Sequence, residues 1–210
     1  MRVLDDCYLY GIVDLGYVAA EDAESVTRTL LAGGADIVQL RAKTVAPADL
    51  AELAQRLHSL TSAANVPLII NDHPEVARTV GAEGVHVGQD DIPVAEVRQV
   101  VGRDCIVGKS THSIAQAVAA VREGAHYIGF GPLFATPTKP DYTPIGLGDI
   151  GEVHELVDVP VFCIGGVKLE NLPRIISAGA RRAVIVSGLL QASDAANYAR
   201  SARELLVAKS

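Results

Sequence analysis

The sequence predicts a single (β/α)8 TIM barrel over residues 1–210. Three observations lead there. Eight short apolar runs recur along the chain, separated by stretches with helical periodicity or turn residues. The runs are nearly continuous in Val, Ile and Leu, which reads as strands of a parallel sheet buried on both faces. The composition is 49% hydrophobic but only 4% aromatic, with no Trp, so the core must be aliphatic. A strand-plus-helix unit repeated eight times is the number that closes a barrel. The alternative, an open doubly wound sheet, needs a Gly-rich dinucleotide turn after its first strand. Val13-Asp14-Leu15-Gly16 is not one.

In chain order, the first two strands are expected at 8–13 and 36–40. A helix follows, because Leu50, Leu53, Ala54, Leu57 and Leu60 fall on one helical face. The third strand is placed at 67–70, with a helix starting near Pro74 that Asn71 or Asp72 could cap. The fourth, at 84–87, leads to a helix whose face carries Val94, Val97, Val100 and Val101. The fifth, at 105–107, precedes an Ala- and Val-rich segment at 115–121 that suits a buried helix. The sixth, at 126–130, runs into a long loop. The seventh, at 161–164, precedes the face of Leu172, Ile175 and Ile176. The eighth, at 183–186, is followed by a closing helix over 189–206, with Asp194 as an internal cap or break. No low-complexity segment or linker interrupts the chain, so one domain is expected.

The formal net charge of -7 argues against a nucleic-acid partner held by a general basic field. Any anion site must be a local cluster of cations. Cys7, Cys105 and Cys163 show no metal-ligand spacing, and Cys105 and Cys163 sit in apolar runs as small core residues. An odd cysteine count and an N-terminus without a secretion signal suggest a cytoplasmic setting. No apolar run reaches the ~20 residues of a membrane helix. Oligomeric state is left open, and homo-oligomerisation is compatible with everything above.

The chemistry is expected where the strands end, since barrels gather their functional residues at the C-terminal ends. The stretch from Gly129 to Pro140 holds two glycines, three prolines, two threonines and one lysine, so no helix runs through it. It reads as a preset loop carrying Thr136, Thr138 and Lys139, residue types that bind oxyanions. The other strand ends supply Asp14; Gln39, Arg41 and Lys43; Asn71 and Asp72; His86, Gln89, Asp90 and Asp91; and Lys109, Ser110 and His112. Two subsites follow. Gly165-Gly166 and Ser187-Gly188 end strands seven and eight, where backbone N–H groups can approach a single phosphate. Arg41, Lys43 and Lys139 suit a polyanion, with Asp72 and Asp91 as hard oxygen ligands for magnesium. Each residue alone could be a turn, a cap or a surface ion pair. His86 and His112 lack zinc-ligand company and read as satisfied or substrate-facing histidines.

The segments Val38-Gln39-Leu40-Arg41-Ala42-Lys43, Ile70-Asn71-Asp72, 84–91, 129–139 and Ile164-Gly165-Gly166-Val167 together resemble the thiamine phosphate synthase family over nearly the whole chain. That family is a (β/α)8 barrel joining an aminopyrimidine diphosphate to a thiazole phosphate, with release of pyrophosphate. The resemblance implies that Arg41, Lys43, Asn71 and Lys139 bind the diphosphate and that Asp72 and Asp91 hold Mg2+. It implies that Gln39, His86 and Ser110 contact the pyrimidine and that Thr136 and Thr138 position the thiazole. Gly166, Val186 and Ser187 would hold the thiazole phosphate. Arg41, Lys43, Lys139 and Ser110 are then the candidate catalytic residues, with the loop at 131–145 covering the site. Two alternatives remain: a thiazole tautomerase, towards which Ser110-Thr111-His112 and Ser187-Gly188 lean, and a catalytically silent thiazole-phosphate-binding regulator. The carboxylates and cations present here favour the transferase.

Overall fold

The computed structural model describes residues 4–136 and 143–208. Its eight strands are β1 (Leu9–Asp14), β2 (Ile37–Arg41), β3 (Leu68–Asn71), β4 (Gly84–Val87), β5 (Ile106–Thr111), β6 (Tyr127–Phe130), β7 (Val161–Cys163) and β8 (Ala183–Ile185). All pair in parallel in sequence order, and β8 returns to β1, so the sheet is a closed barrel. The helices are α1 (Ala23–Ala32), α2 (Pro47–Ala63), α3 (Pro74–Val80), α4 (Val94–Val101), α5 (Ile114–Arg122), α6 (Ile150–Leu156), α7 (Leu172–Ser177), α8 (Ser187–Leu190) and α9 (Ala195–Val207). No helix among the described residues is long and apolar enough to cross a membrane.

Strand alternation builds two cores. Residues facing inward include Tyr10, Ile37, Ile69, Ile106, Tyr127 and Phe162, which fill the barrel. Residues facing outward, such as Val38, Leu40, Val85, Val107 and Ile128, pack against the helices in a second, larger shell. On α2 the predicted stripe holds: Leu50, Leu53, Ala54 and Leu57 are buried, and Leu60 is partly so. Each fully buried Leu contributes roughly 1.5–3 kcal/mol, so the stripe, more than propensity, fixes the helix. Inside the barrel the few aromatics meet edge to face, Tyr10 and Tyr127 each lying 5.5 Å from Phe162 between ring centroids.

Sequence expectations and structure differ in two places, at the start of α3 and at Cys105, and agree on a break capped by Asp194. Neither Asn71 nor Asp72 caps α3; His73 holds the cap position without a side-chain bond, and Asp72 turns into the site. The closing helix is two pieces, and Asp194 caps the second by accepting from the Asn197 amide at 2.9 Å. Cys163 is fully buried, whereas Cys105 is only partly covered; with Cys7 all three are free thiols.

A buried clasp joins the start of β1 to the last helix. The Asp36 carboxylate, fully buried just before β2, accepts from the Tyr8 and Leu9 amides at 3.0 and 3.1 Å. It also pairs with Arg203 of α9 at 3.0 Å. One carboxylate thus ties the last helix to the first strand.

Candidate active site

The strand ends surround a cleft enclosing about 940 Å3, its open mouth included, at the C-terminal end of the barrel. Register explains who faces it. Inward alternation on β1 and β2 brings Tyr10, Ile12 and Asp14, then Gln39 and Arg41, to the wall. On the far side the same rule delivers His86, Ser110 and Tyr127. The described residues thus bring together Gln39, Arg41, Asn71, His86, Ser110 and Thr136 around one space. Gly166, Val186 and Ser187 line the same space from β7 and β8. Lys43, exposed after β2, stands beside it through Asp72. Thr138 and Lys139 lie outside the described residues.

Arg41 is held in place by a partner. Asp14, only 1% exposed, sits opposite Arg41 in the β1–β2 register and accepts from its Nη1 at 2.7 Å. The second Asp14 oxygen accepts from the Gly16 amide at 2.9 Å. This pairing uses one corner of a five-donor fork, leaving the rest of the guanidinium without another bond among the described residues.

Asp72 and Asp91 meet across the ends of β3 and β4. Asp72 occupies left-handed backbone (φ 63°), a conformation that short polar side chains tolerate. Its Oδ2 accepts from Asn71 Nδ2 at 2.6 Å and lies 3.3 Å from Lys43 Nζ. Asp91 Oδ2 accepts from the Gly88 amide at 2.6 Å. Burial pushes the Asp72 carboxyl up from its ordinary range; a hydrogen bond to Asp91 and the charge of Asp91 add to this, and Lys43 opposes it. Two carboxylates at hydrogen-bond reach repel unless a proton or a cation lies between them. The donor set is two hard oxygen groups, and the described residues hold no cluster of three or more His, Cys, Asp or Glu suited to a metal. That set fits magnesium, which takes one or two carboxylates and completes its shell with water and substrate phosphate.

The glycine turn after β7 is demanded by packing. Gly165 and Gly166 have φ of 90° and 66°. A side chain on Gly165 would overlap Pro132, and one on Gly166 would come within 2.7 Å of Phe134 Cβ. The loop after β6 can lie against this turn because Gly131 on one side and Gly165 on the other have no side chain at the contact: Leu133 N donates to Ile164 O at 2.8 Å and Phe134 N to Gly165 O at 3.0 Å. The amides of Gly166 and Ser187 donate to no acceptor among the described residues, and both residues line the cleft.

His112 also lines the cleft, and its Nδ1 is bonded to the Gly131 carbonyl. Since a carbonyl only accepts, that nitrogen carries the proton. Lys109, at the expected rim, points out of the barrel and is 6% exposed in a separate groove over α5. Gln89 donates to the Ser110 carbonyl at 2.5 Å and so steadies β5. Sequence reasoning missed Tyr10 and Tyr127. Their signal was the two-residue alternation, which puts Tyr10 on the same face as Asp14.

A closed parallel barrel with its charged and polar side chains gathered where the strands end has the layout of a barrel enzyme. Residues 9–189 match the family model described as thiamine monophosphate synthase. A thiamine-phosphate synthase of Chloroflexus aurantiacus is 41% identical over 202 residues, 96% of this chain and 93% of the relative. One from Ruminiclostridium cellulolyticum is 38% identical over the full length of both chains. The thiamine phosphate pyrophosphorylase of Pyrococcus furiosus superposes with a TM-score of 0.87 at 28% identity, covering 97% of this chain and 96% of that one. The chain belongs to the thiamine monophosphate synthase family.

Proposed function

We propose that the protein is a transferase that couples 4-amino-2-methyl-5-hydroxymethylpyrimidine diphosphate to thiazole phosphate, giving thiamine phosphate and pyrophosphate. The observation that carries this reading is the meeting of Asp72, Asp91 and Lys43 on the rim of the cleft that Gln39 and Ser110 line. Arg41, Lys43, Asn71 and Lys139 bind the diphosphate. Gln39, His86 and Ser110 hold the pyrimidine, and Thr136 and Thr138 position the thiazole. Gly166, Val186 and Ser187 receive the thiazole phosphate, in part through the open amides of Gly166 and Ser187. Asp72 and Asp91 would hold magnesium, which when bound supplies charge neutralisation for the leaving group.

The reaction then asks no side chain for a covalent bond. Cations neutralise the departing pyrophosphate as its charge develops. The C–O bond to the diphosphate breaks heterolytically, and the electron-rich aminopyrimidine spreads the positive charge left on its methylene. The thiazole nitrogen donates its lone pair to that carbon and closes the new C–N bond. Fixed positioning of the two rings supplies much of the rest of the acceleration. Three free cysteines suit a reducing, cytoplasmic setting.

The decisive experiment is formation of thiamine phosphate by the purified protein from the two substrates, followed by single-turnover release of pyrophosphate. Lys139→Ala should slow that release by about two to three powers of ten, the loss of one charge-assisted contact to the leaving group. His112→Asn should slow it only mildly. A near-neutral Lys139→Ala, with His112→Asn abolishing a proton exchange on the thiazole seen by NMR, would replace this reading with a tautomerase.

A further inference from the structure

The strands on either side of β5 turn aliphatic side chains to the helices, Val85 and Val87 on β4 and Ile128 on β6. On β5 the outward Val107 is followed two residues later, on the same face, by Lys109. Lys109 is only 6% exposed. Its ammonium makes no hydrogen bond and no ion pair among the described residues. The helices part above it: α3 packs on α4 and α5 on α6, but α4 and α5 stand apart over β5. The opening is a groove of about 520 Å3, its mouth included, walled by Pro93 at the start of α4 and by Gln116, Ala119 and Ala120 of α5. Lys109 lines it from the strand side, and the groove shares no lining residue with the cleft.

A buried cation needs a counter-charge, because desolvation without one is costly. Two carboxylates line the groove, and neither is paired with Lys109. Asp91 is engaged towards the cleft, by the Gly88 amide at 2.6 Å and by Asp72. Glu123 follows the last turn of α5 and is exposed, so water screens it. A second donor faces the same space. Gln116 Oε1 accepts from the His112 amide at 2.7 Å, which leaves its NH2 group to the groove. An oxyanion can take an ammonium and an amide donor together, and the charged partner makes such bonds strong. Asp91 and Glu123 limit what fits, since a long or multiply charged anion would meet one of them.

We propose that the groove between α4 and α5 is a binding site for a compact, singly charged oxyanion, a carboxylate or a monoanionic phosphate, with Lys109 as its counter-charge and Gln116 as its second donor. The site lies on the outer face of the barrel wall. It does not depend on which substrates the cleft takes. An anion bound there fills the parting in the helical shell and stabilises the folded chain.

The test titrates acetate and, separately, singly charged inorganic phosphate into the wild-type protein and into Lys109→Met, in a zwitterionic buffer, read by Tm and by amide chemical shifts. Met keeps an unbranched side chain and suits the aliphatic shell. At tenfold excess over its dissociation constant, the anion should raise the wild-type Tm by about 3 °C more than that of Lys109→Met. It should also shift the Ala119 and Ala120 amides of the wild type alone. The response to acetate identifies a carboxylate site and the response to phosphate a phosphate site; phosphate bound in the cleft cancels in the difference between the two proteins. Without added anion, Lys109→Met should melt no lower than wild type, because it no longer buries an unpaired charge. Glu123→Gln should bind the anion about twofold more tightly, the scale of one screened surface charge. Equal Tm shifts in both proteins with Ala119 and Ala120 unmoved would overturn the proposal. So would weaker binding in Glu123→Gln, or a Lys109→Met protein melting several degrees below wild type in anion-free buffer, which would give Lys109 its partner within the chain.

Discussion

The Asp14–Arg41 pair allows a prediction whose size can be worked out beforehand. Asp14 is the only carboxylate bonded to Arg41 among the described residues, at 2.7 Å, with side-chain exposures of 2% and 16%. Removing one partner of a buried pair costs about 3–5 kcal/mol, because the other charge is left without compensation. Arg41 keeps some water, so the lower end applies, about 3 kcal/mol. Unfolding entropy near 2.1 cal/mol/K per residue gives about 0.44 kcal/mol/K for this 210-residue chain. Asp14→Ala should therefore lower Tm by about 7 °C. Asp14 also receives the Gly16 amide, so part of the loss belongs to that turn rather than to the pair. A double-mutant cycle with Arg41→Ala separates the two: coupling of about 2 kcal/mol is expected from urea unfolding, so the double variant should be less damaged than the singles added together. Additive losses, or an Asp14→Ala protein melting within a degree or two of wild type, would refute the argument.

Three more predictions concern other sites. Asp72→Ala or Asp91→Ala should abolish product formation with little change in circular dichroism, and EDTA should do the same reversibly on adding magnesium; full turnover of Asp91→Ala in metal-free buffer would remove the metal from the mechanism. Gly166→Val should weaken thiazole phosphate binding more than pyrimidine diphosphate binding by calorimetry, since its φ of 66° and its contact with Phe134 both exclude a side chain. His154 titrates at about 4 rather than 6.5, lowered first by burial and then by Arg181 and Arg182, and its Nε2 is buried with no hydrogen-bond partner among the described residues. Its neutral form is the one the fold accepts, so its contribution is complete above pH 6.5 and is lost as pH falls from there towards 4. His154→Leu should flatten the urea-midpoint profile across that window, and a parallel profile would exclude the assignment.

The barrel was legible because strand burial and helix periodicity both write themselves in sequence. The apolar runs are buried strands, and Leu50, Leu53, Ala54 and Leu57 are a buried stripe. The strand-end residues were legible for the same reason, since closure forces every C-terminal end to one rim. What sequence could not supply is pairing across the barrel. Nothing near Asp14 announces Arg41 as its partner, 27 residues away, or tells Tyr10 from an ordinary core tyrosine. Such pairings follow from inward register on neighbouring and opposite strands, which exists only once the sheet has closed. The capping expectation for Asn71 and Asp72 failed for a related reason: a rim carboxylate was satisfied by Lys43 and Asn71 before the helix could claim it.

The clasp at Asp36 has a consequence for how the molecule opens. Its carboxylate is shared between the amides of Tyr8 and Leu9 and the guanidinium of Arg203. Fraying of α9 therefore uncovers the acceptor on which the entry to β1 depends, and the two events cannot occur independently. Local opening at the end of the chain is transmitted to its beginning as one cooperative unit. Native-state hydrogen exchange should report this directly: Arg203→Ala should speed exchange at the Tyr8 and Leu9 amides while leaving those of β4 and β5 at their global rate.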